Sequence, residues 1–259
     1  MKATLIDTHC HLDAFGDNQA EILRAALASG VGSLVIPSVE CGNFATVHKI
    51  CEQHSNCFPA YGIHPMYTDS ATPEDLTVLR DYLQVRRPVA IGEIGLDFFV
   101  ENQYVAKQEY FFVEQLKLAR EFDLPVLLHT RRATDTVLKH LRQIRVKGGI
   151  AHAFSGSRVQ AEEFIKLGFK LGFGGAMTYD RATRIRDLAA TLPMTSIVLE
   201  TDAPDIPPAF IVRGTPNKPE YMARIAQTLA ELRGITLETV ALATTENALH
   251  ALPKLTARH

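Results

Sequence analysis

Short runs of apolar and β-branched residues alternate along the whole chain with longer segments whose apolar residues recur at helical spacing. This alternation limits the possible folds more than any other feature of the sequence. Runs such as Leu34-Val35-Ile36 are continuously apolar, which is typical of parallel strands that are buried on both faces. About eight strands are predicted, at residues 4–7, 33–37, 58–62, 89–92, 126–128, 149–152, 170–173 and 197–200.

Helices are predicted between these strands, and their ends carry typical capping residues. Thr72 precedes Pro73 and two acidic residues, and Ser157 is placed as an N-cap. Gly30, Gly168 and Gly234 stand where helices should end. The predicted helices span residues 19–28, 44–53, 73–85, 104–122, 136–145, 159–167, 182–191, 220–232 and 237–249.

The length of 259 residues agrees with an eight-stranded β/α barrel, which usually has about 250. We therefore expect an α/β fold of the (β/α)8 TIM-barrel type, as one domain over residues 1–259. An open doubly wound sheet shows the same alternation, but it usually has a glycine-rich phosphate loop after its first strand. That turn contains Thr8, His9 and His11 here, so the barrel is favoured.

The composition excludes several classes of protein. A net charge of −2 does not provide the broad positive field of sequence-independent nucleic-acid binders, so an anionic substrate must be bound locally. No signal-peptide pattern is visible, and the apolar runs are shorter than the roughly 20 residues of a membrane-spanning helix. The four cysteines have no Cys-x-x-Cys spacing. We expect a cytoplasmic protein with reduced cysteines, no membrane association and no obligate protein partner.

Histidines and carboxylates stand at the ends of several predicted strands. His9 and His11 are two residues apart, so their side chains can point to the same side of the first strand. The carboxyl ends of parallel barrel strands form one face, so residues at these ends should meet although they are distant in sequence. Further candidates follow or end the fourth, fifth, sixth and eighth strands, and they are Glu93, His129, His152 and Asp202.

These four imidazoles and two carboxylates exceed the four protein ligands of a structural zinc ion. We therefore predict two divalent cations per chain, with Glu93 placing one oxygen on each ion at a separation of about 3.5–4 Å. Mixed imidazole and carboxylate ligands suit zinc, manganese or iron, and magnesium less well. The identity of the metal stays open.

Six short motifs occur in an order that resembles the signature of the TatD-type metal-dependent hydrolases, within the amidohydrolase-like barrels. They are residues 6–13 (IDTHCHLD), 62–65 (GIHP), 92–97 (GEIGLD), 129–131 (HTR), 152–156 (HAFSG) and 199–204 (LETDAP). Residues 174–179 (GGAMTY) are similar to the Gly-Gly-x-x-Thr-Tyr segment of the YjjV-like branch. The resemblance covers essentially the whole chain.

The resemblance implies a binuclear site. One ion would be held by His9, His11, Glu93 and Asp202, and the other by Glu93, His129 and His152. It also implies phosphodiester hydrolysis, because family members include deoxyribonucleases, notably 3′–5′ exonucleases. DNA or another phosphodiester is therefore the expected substrate. In the resulting mechanistic hypothesis Glu93 bridges the ions, and Asp202 accepts or relays the proton of an activated water.

Other residues are predicted near the same face. His64 follows the third strand and is predicted to contact substrate phosphate or to support a ligand. Glu200 would orient a ligand or His64, and Asp97 would brace the turn after Glu93. Substrate contacts are also predicted for four more residues, and the alternative interpretation is that each is a solvated surface residue. They are Arg131, Arg213, Asn217 and Lys218.

Two alternatives stay open. A metal-dependent amidase, lactonase or aminoacyl-ester hydrolase could use the same activated water on a carbonyl carbon, and the metal ligands do not distinguish it from a phosphodiesterase. A non-catalytic barrel that keeps a structural metal is the other alternative. The number of candidate ligands argues against it, since structural sites usually close around one ion.

Overall fold

A computed structural model describes residues 4–99 and 104–256. Its eight strands form one parallel sheet in the order β1-β2-β3-β4-β5-β6-β7-β8, and each strand pairs with the next in sequence. The strands are β1 (Leu5–Asp7), β2 (Val31–Pro37), β3 (Cys57–Tyr61), β4 (Ala90–Asp97), β5 (Val126–Arg131), β6 (Gly149–Ala151), β7 (Phe169–Phe173) and β8 (Ile197–Leu199).

An α-helix follows every strand, and one more α-helix comes after the last of these. Thr72 and Ser157 form capping boxes with Asp75 and Gln160, as their positions in the sequence predict. The helices are α1 (Gln19–Ala28), α2 (Phe44–Gln53), α3 (Pro73–Arg86), α4 (Val105–Glu121), α5 (Thr134–Gln143), α6 (Arg158–Lys166), α7 (Thr183–Thr191), α8 (Met222–Arg233) and α9 (Leu237–Ala251).

Hydrogen bonds between the first and last strands bring the sheet round into a nearly closed barrel. The backbone N–H of Thr8 donates to the carbonyl oxygen of Leu199 at 3.2 Å, and its hydroxyl donates to the same oxygen at 3.0 Å. Beyond the strands, the N–H of Asp202 donates to the carbonyl oxygen of His9 at 2.8 Å. The (β/α)8 TIM-barrel fold that the sequence predicts is therefore confirmed. Residues 1–3, 100–103 and 257–259 of the predicted domain lie outside the described residues.

Alternate side chains of the strands pack into two separate apolar clusters. Ile6, Val35, Leu127, Ile150 and Val198 form the smaller cluster inside the barrel, together with the end of α9. Their strand neighbours belong to the larger cluster, which packs against the surrounding helices. Because side chains alternate along a strand, a residue two positions after an inward one also points inward. His129 and His152 each stand two positions after an inward residue, so the pattern directs both into the barrel mouth.

Strand β4 differs most from its prediction, because it extends five residues beyond residue 92. The pairing of β4 with β5 shifts register between Ile91 and Ile94. Both isoleucines belong to the larger cluster, which packs against the helices outside the barrel. A bulge of this kind re-aims the residues after it, so that Glu93 and Asp97 point inward. Glu93 was predicted to follow the fourth strand, and it lies within that strand instead.

Gly95 in β4 has no room for a side chain. A Cβ built there would lie 1.9 Å from the carbonyl oxygen of His129, and φ is +152°. We predict that Gly95→Ala lowers the free energy of unfolding by about 3–5 kcal/mol, measured by urea denaturation, because backbone strain and a clash add. Gly16→Ala is the control, since Gly16 also has positive φ (+53°) but no atom within 4 Å of the added Cβ. An equal loss of stability in both variants would contradict the close approach.

Candidate functional site

The six residues predicted to bind metal do meet at the carboxyl ends of the strands. Their side chains come from five different segments of the chain. His9 and His11 follow β1, Glu93 lies in β4, His129 in β5, His152 directly after β6 and Asp202 shortly after β8. All of them except the fully buried His9 line one cleft of about 850 Å³.

One oxygen of Glu93 faces the residues that follow β1 and β8. Its Oε2 lies 3.0 Å from Nε2 of His9 and 3.5 Å from Nε2 of His11. The Oδ1 of Asp202 lies 3.6 Å from each of these two nitrogens, and the nitrogens are 3.3 Å apart. Both carboxylate oxygens therefore lie within 3.6 Å of the two imidazole nitrogens.

The other oxygen of Glu93 faces a second set of imidazoles. Its Oε1 lies 2.9 Å from Nδ1 of His129, 3.3 Å from Nε2 of His152 and 3.4 Å from Nε2 of His64. These distances show that the carboxylate is shared between two groups of imidazole nitrogen atoms. Glu93 is 2% exposed, so the sharing takes place in the interior. His64 was not predicted to belong to either ligand set, yet it stands with this one.

The donor set fits divalent cations. Ligand atoms about 2.0–2.2 Å from a tetrahedral zinc ion are about 3.3–3.6 Å apart, which is the range found between several of these atoms. Within the described residues, three triplets have donor atoms close enough to share an ion: His9 with His11 and Glu93, His9 with His152 and Asp202, and His64 with Glu93 and His129. His152 therefore also stands near the first group, and its ring stacks on that of His9 at 3.9 Å between centroids.

Burial and the shared charge of Glu93 control the protonation of these imidazoles. Burial alone would lower the pKa of His11, but the hydrogen bond and charge of Glu93 raise it to about 9. Burial also opposes the charged ring of His152, whereas the charges of Glu93, Asp202 and Glu200 raise its pKa to about 10. Burial disfavours a charged Glu93, but the charges of His9 and His64 hold its pKa well below the ordinary range. In the absence of metal, protonated His11, His129 and His152 would therefore neutralise the buried carboxylates, whereas burial lowers the pKa of His9 to about 4.

Buried carboxylates orient two of the histidines from behind. The Oδ2 of Asp97 lies 2.9 Å from Nε2 of His129, and Oε1 of Glu200 lies 3.3 Å from Nδ1 of His152. An ionised carboxylate favours a proton on the nitrogen that faces it, and the opposite nitrogen then directs its lone pair to Glu93 and the cleft. Carboxylate, imidazole and metal commonly form such a series in proteins.

Asp97 has a wider part in the site than its sequence position predicted. Its Oδ1 accepts a hydrogen bond from the N–H of Phe99 at 2.8 Å, so it does brace the turn. Its contact with His129 was not predicted. The sequence gives no sign of the bulge in β4, and without the bulge Asp97 would not be expected beside β5. Glu200 was predicted to orient a ligand or His64, and the structure places it against His152 and the N–H of Ala153.

The predicted substrate contacts have different positions in the structure. His64 and Arg131 line the cleft. Arg213 is exposed and is not part of the cleft lining, and Lys218 lies near Glu220 at 3.6 Å. For Asn217 the prediction is wrong. Its side chain is completely buried, does not line the cleft and binds backbone carbonyl oxygens instead of a ligand.

Asn217 instead holds the loop that carries Asp202. Its amide group donates to the carbonyl oxygens of Thr201, Asp205 and Ile206 at 2.7, 3.0 and 3.1 Å. Asp202 has a φ of +58°, a left-handed conformation that must be held by its surroundings. An asparagine in a motif near the site could be seen in the sequence, but only the fold shows that it binds backbone rather than ligand.

A TIM barrel with clustered imidazoles and carboxylates at the carboxyl ends of its strands defines the class of metal-dependent hydrolases. Comparison with known proteins gives the family. The family described as "TatD related DNase" matches residues 6–253. The chain belongs to this TatD family and is a metal-dependent hydrolase.

Individual relatives agree with this assignment. The chain is 43% identical over 254 residues to the uncharacterized metal-dependent hydrolase YjjV of Escherichia coli K12, covering 95% of this chain and 97% of the relative. It is 34% identical to the uncharacterized metal-dependent hydrolase YabD of Bacillus subtilis, covering 94% and 97%. The crystal structure of E. coli YjjV superimposes with a TM-score of 0.94 at 40% identity, covering 98% of this chain and 99% of that one. The resemblance to the YjjV-like branch is confirmed.

We predict that Asp97→Asn and Glu200→Gln each weaken zinc binding about 10- to 100-fold, because both changes remove the charge that orients a histidine. Competition with a chromophoric chelator measures the affinity. Asp205→Asn is the matched control, since Asp205 lines the same cleft and is exposed. If this control weakens binding as much as the two test variants, the loss reflects net charge and the orienting role is wrong.

Proposed function

We propose that the protein is a phosphodiesterase that cleaves DNA, with a 3′–5′ exonuclease as the specific form, and that it uses two divalent cations. His9, His11, Glu93 and Asp202 would hold one ion, and Glu93, His129 and His152 the other. The observation that carries this proposal is Glu93, whose Oε2 and Oε1 face separate groups of donor atoms. The metal would be zinc, manganese, iron or magnesium. The hydrolase would occupy residues 1–259 as one domain.

The family supports the choice of bond. The family is described as one of DNases, and the relatives named above are uncharacterized metal-dependent hydrolases. Divalent ions held by these residues would make a bound water more acidic and would neutralise charge on the phosphate oxygens. A carbonyl ester or amide would use the same groups, so the substrate must be established by assay.

His64 supplies a hydrogen-bond donor rather than a metal ligand. Its Nδ1 accepts a hydrogen bond from the N–H of Met66 at 3.2 Å. In the neutral ring this leaves the proton on Nε2, which faces Glu93 and the cleft and so has no lone pair for a metal. An N–H group directed into an anion-binding cleft can donate to a phosphate oxygen of the substrate.

Asp202 is the residue proposed to accept the proton. It lines the cleft, and its backbone is held by the N–H···O bond to His9 and by the hydrogen bond from the N–H of Asp205 to its carbonyl oxygen at 2.7 Å. Hydrolysis forms a bond from phosphorus to the water oxygen and breaks the bond from phosphorus to the leaving sugar oxygen. The proton released by water passes to Asp202, which can return it to the leaving oxygen.

The expected location is the cytoplasm. No helix in the described part of the chain is long and apolar enough to cross a membrane. The proposal rests instead on Cys10 and Cys41, which form no disulfide bond within the described residues, as is usual in a reducing compartment.

We predict that the purified protein hydrolyses single-stranded DNA and bis(4-nitrophenyl) phosphate, and that chelation abolishes both activities. Asp202→Asn should lower kcat at least about 100-fold, because it removes the proton acceptor. Circular dichroism should show an unchanged fold. Carbonyl esters and lactones are assayed in parallel under the same conditions. Turnover of these substrates without any phosphodiester cleavage would favour the amidase or lactonase alternative, and metal binding without turnover of any substrate would favour a non-catalytic barrel.

We predict that His64→Ala lowers kcat/KM for DNA about 10- to 100-fold, the usual range for a lost hydrogen bond to a charged group. The metal content should stay unchanged, because this histidine is proposed to donate to substrate. His129→Ala serves as the comparison and should lose bound metal. The metal content of both variants is measured by elemental analysis of protein purified with the metal. Loss of an ion in His64→Ala would show that His64 is a ligand after all.

A further inference from the structure

We propose that Phe99, Arg131 and Arg132 form a second phosphate-binding subsite at the edge of the cleft. The subsite would hold a phosphate of the substrate that is not cleaved, next to the one at Glu93. This inference rests on the proposed phosphodiesterase function and adds a preference for substrates that carry more than one phosphate. We call these three residues the arginine rim.

The geometry of the arginine rim is that of two cations ordered by one aromatic ring. The guanidinium carbon of Arg131 lies 3.6 Å from the centroid of the Phe99 ring, and that of Arg132 lies 4.6 Å from it. Both distances are in the range of cation–π contact. Phe99 is 43% exposed, and both arginines are exposed, so the rim faces solvent at the cleft mouth.

The two arginines keep their hydrogen-bonding capacity for a ligand. Among residues 4–99 and 104–256, neither guanidinium has a carboxylate within 4 Å, although the charge of Arg131 helps to lower the pKa of the neighbouring Asp97. Stacking on Phe99 occupies the flat face of a guanidinium group, and its N–H donors lie in the plane and stay available. Phosphate oxygens match this planar arrangement of donors, so the rim fits a phosphate group better than the face of a base.

The arginine rim places positive charge at the edge of the cleft. Arg131 is the only lysine or arginine among the described residues that line the cleft, whereas Asp13 and Asp205 line it as well. The chain carries a net charge of −2, so no general positive field attracts a polyanion. A phosphodiester chain that extends from the metal-binding residues over the end of β5 would therefore gain a favourable contact there.

The rim also belongs to the same strand ends as the site. Arg131 ends β5, two residues after His129, and Asp97 in β4 pairs with Arg131 in register. Arg132 follows the end of β5 directly, and Phe99 stands two residues after the end of β4. A change in Arg131 could disturb Asp97 and His129, so Arg132 and Phe99 are the better residues for an experiment.

The test compares a substrate with one phosphate against a longer one. The variants are Arg132→Gln and Phe99→Leu, assayed on bis(4-nitrophenyl) phosphate and on a ten-nucleotide oligothymidylate. We expect kcat/KM for the oligonucleotide to fall roughly 3- to 10-fold in both variants, the effect of a partly exposed charged contact. For the one-phosphate substrate we expect no change. Arg145→Gln makes the same change in charge in an exposed residue after α5, at the opposite end of the barrel, and should behave as the unmodified protein.

Salt dependence gives a second measure. Loss of one phosphate contact to a single strand should reduce the slope of log(kcat/KM) against log salt by about 0.7 for Arg132→Gln. The inference is overturned if Arg132→Gln lowers kcat/KM equally for both substrates, or if Arg132→Gln behaves as Arg145→Gln does.

These outcomes are distinct from failure of the proposed function. If the proposed function is wrong, neither the unmodified protein nor any variant would cleave either phosphodiester. Binding of a 5′-fluorescein-labelled oligothymidylate, measured by anisotropy with EDTA present, would still report on the rim, and equal affinity of Arg132→Gln and the unmodified protein would overturn it there.

Discussion

The sharing of one buried carboxylate by two groups of imidazoles is the interaction on which the site depends. Glu93 is almost fully buried, and a buried charge is costly unless opposite charges or hydrogen-bond donors compensate it. The nitrogens of His9 and His11 stand at one of its oxygens, and those of His129, His152 and His64 at the other. Either protons or divalent cations can supply the positive charge, and these ligands bind cations only after the protons leave.

Several features of the barrel serve this arrangement. The bulge in β4 turns Glu93 and Asp97 inward, and the absence of a side chain at Gly95 lets β5 approach closely enough to bring His129 alongside. At the seam, Asp7 accepts hydrogen bonds from the N–H and hydroxyl of Thr201, which ties β1 to the loop after β8. Burial raises the pKa of Asp7 to about 7, in opposition to those hydrogen bonds. Asn217 then holds the rest of that loop, so that Asp202 meets the histidines of β1.

The site separates ligand, support and substrate contact by position. The candidate ligands surround Glu93, and the carboxylates of Asp97 and Glu200 stand behind the histidines that they orient. His64 lines the cleft with its Nε2 near Glu93, and the arginine rim stands at the exposed edge of the cleft. This order from buried carboxylate to exposed guanidinium agrees with a substrate whose reacting phosphate enters the cleft while the rest of the molecule stays at the mouth.

Hydrophobic periodicity and strand-end positions are local properties of the chain, so the strand and helix order, the barrel and the six candidate ligands could be predicted from the residues alone. Helices α1 and α2 begin and end where the sequence predicts. The roles of Asp97, Glu200 and Asn217 became apparent from the folded structure. Their partners are distant in sequence or are backbone atoms of another loop, and the bulge in β4 reverses the side-chain alternation that a sequence reader must assume. Whether a polar residue faces a cleft or a carbonyl group depends on packing between elements, which no local pattern records.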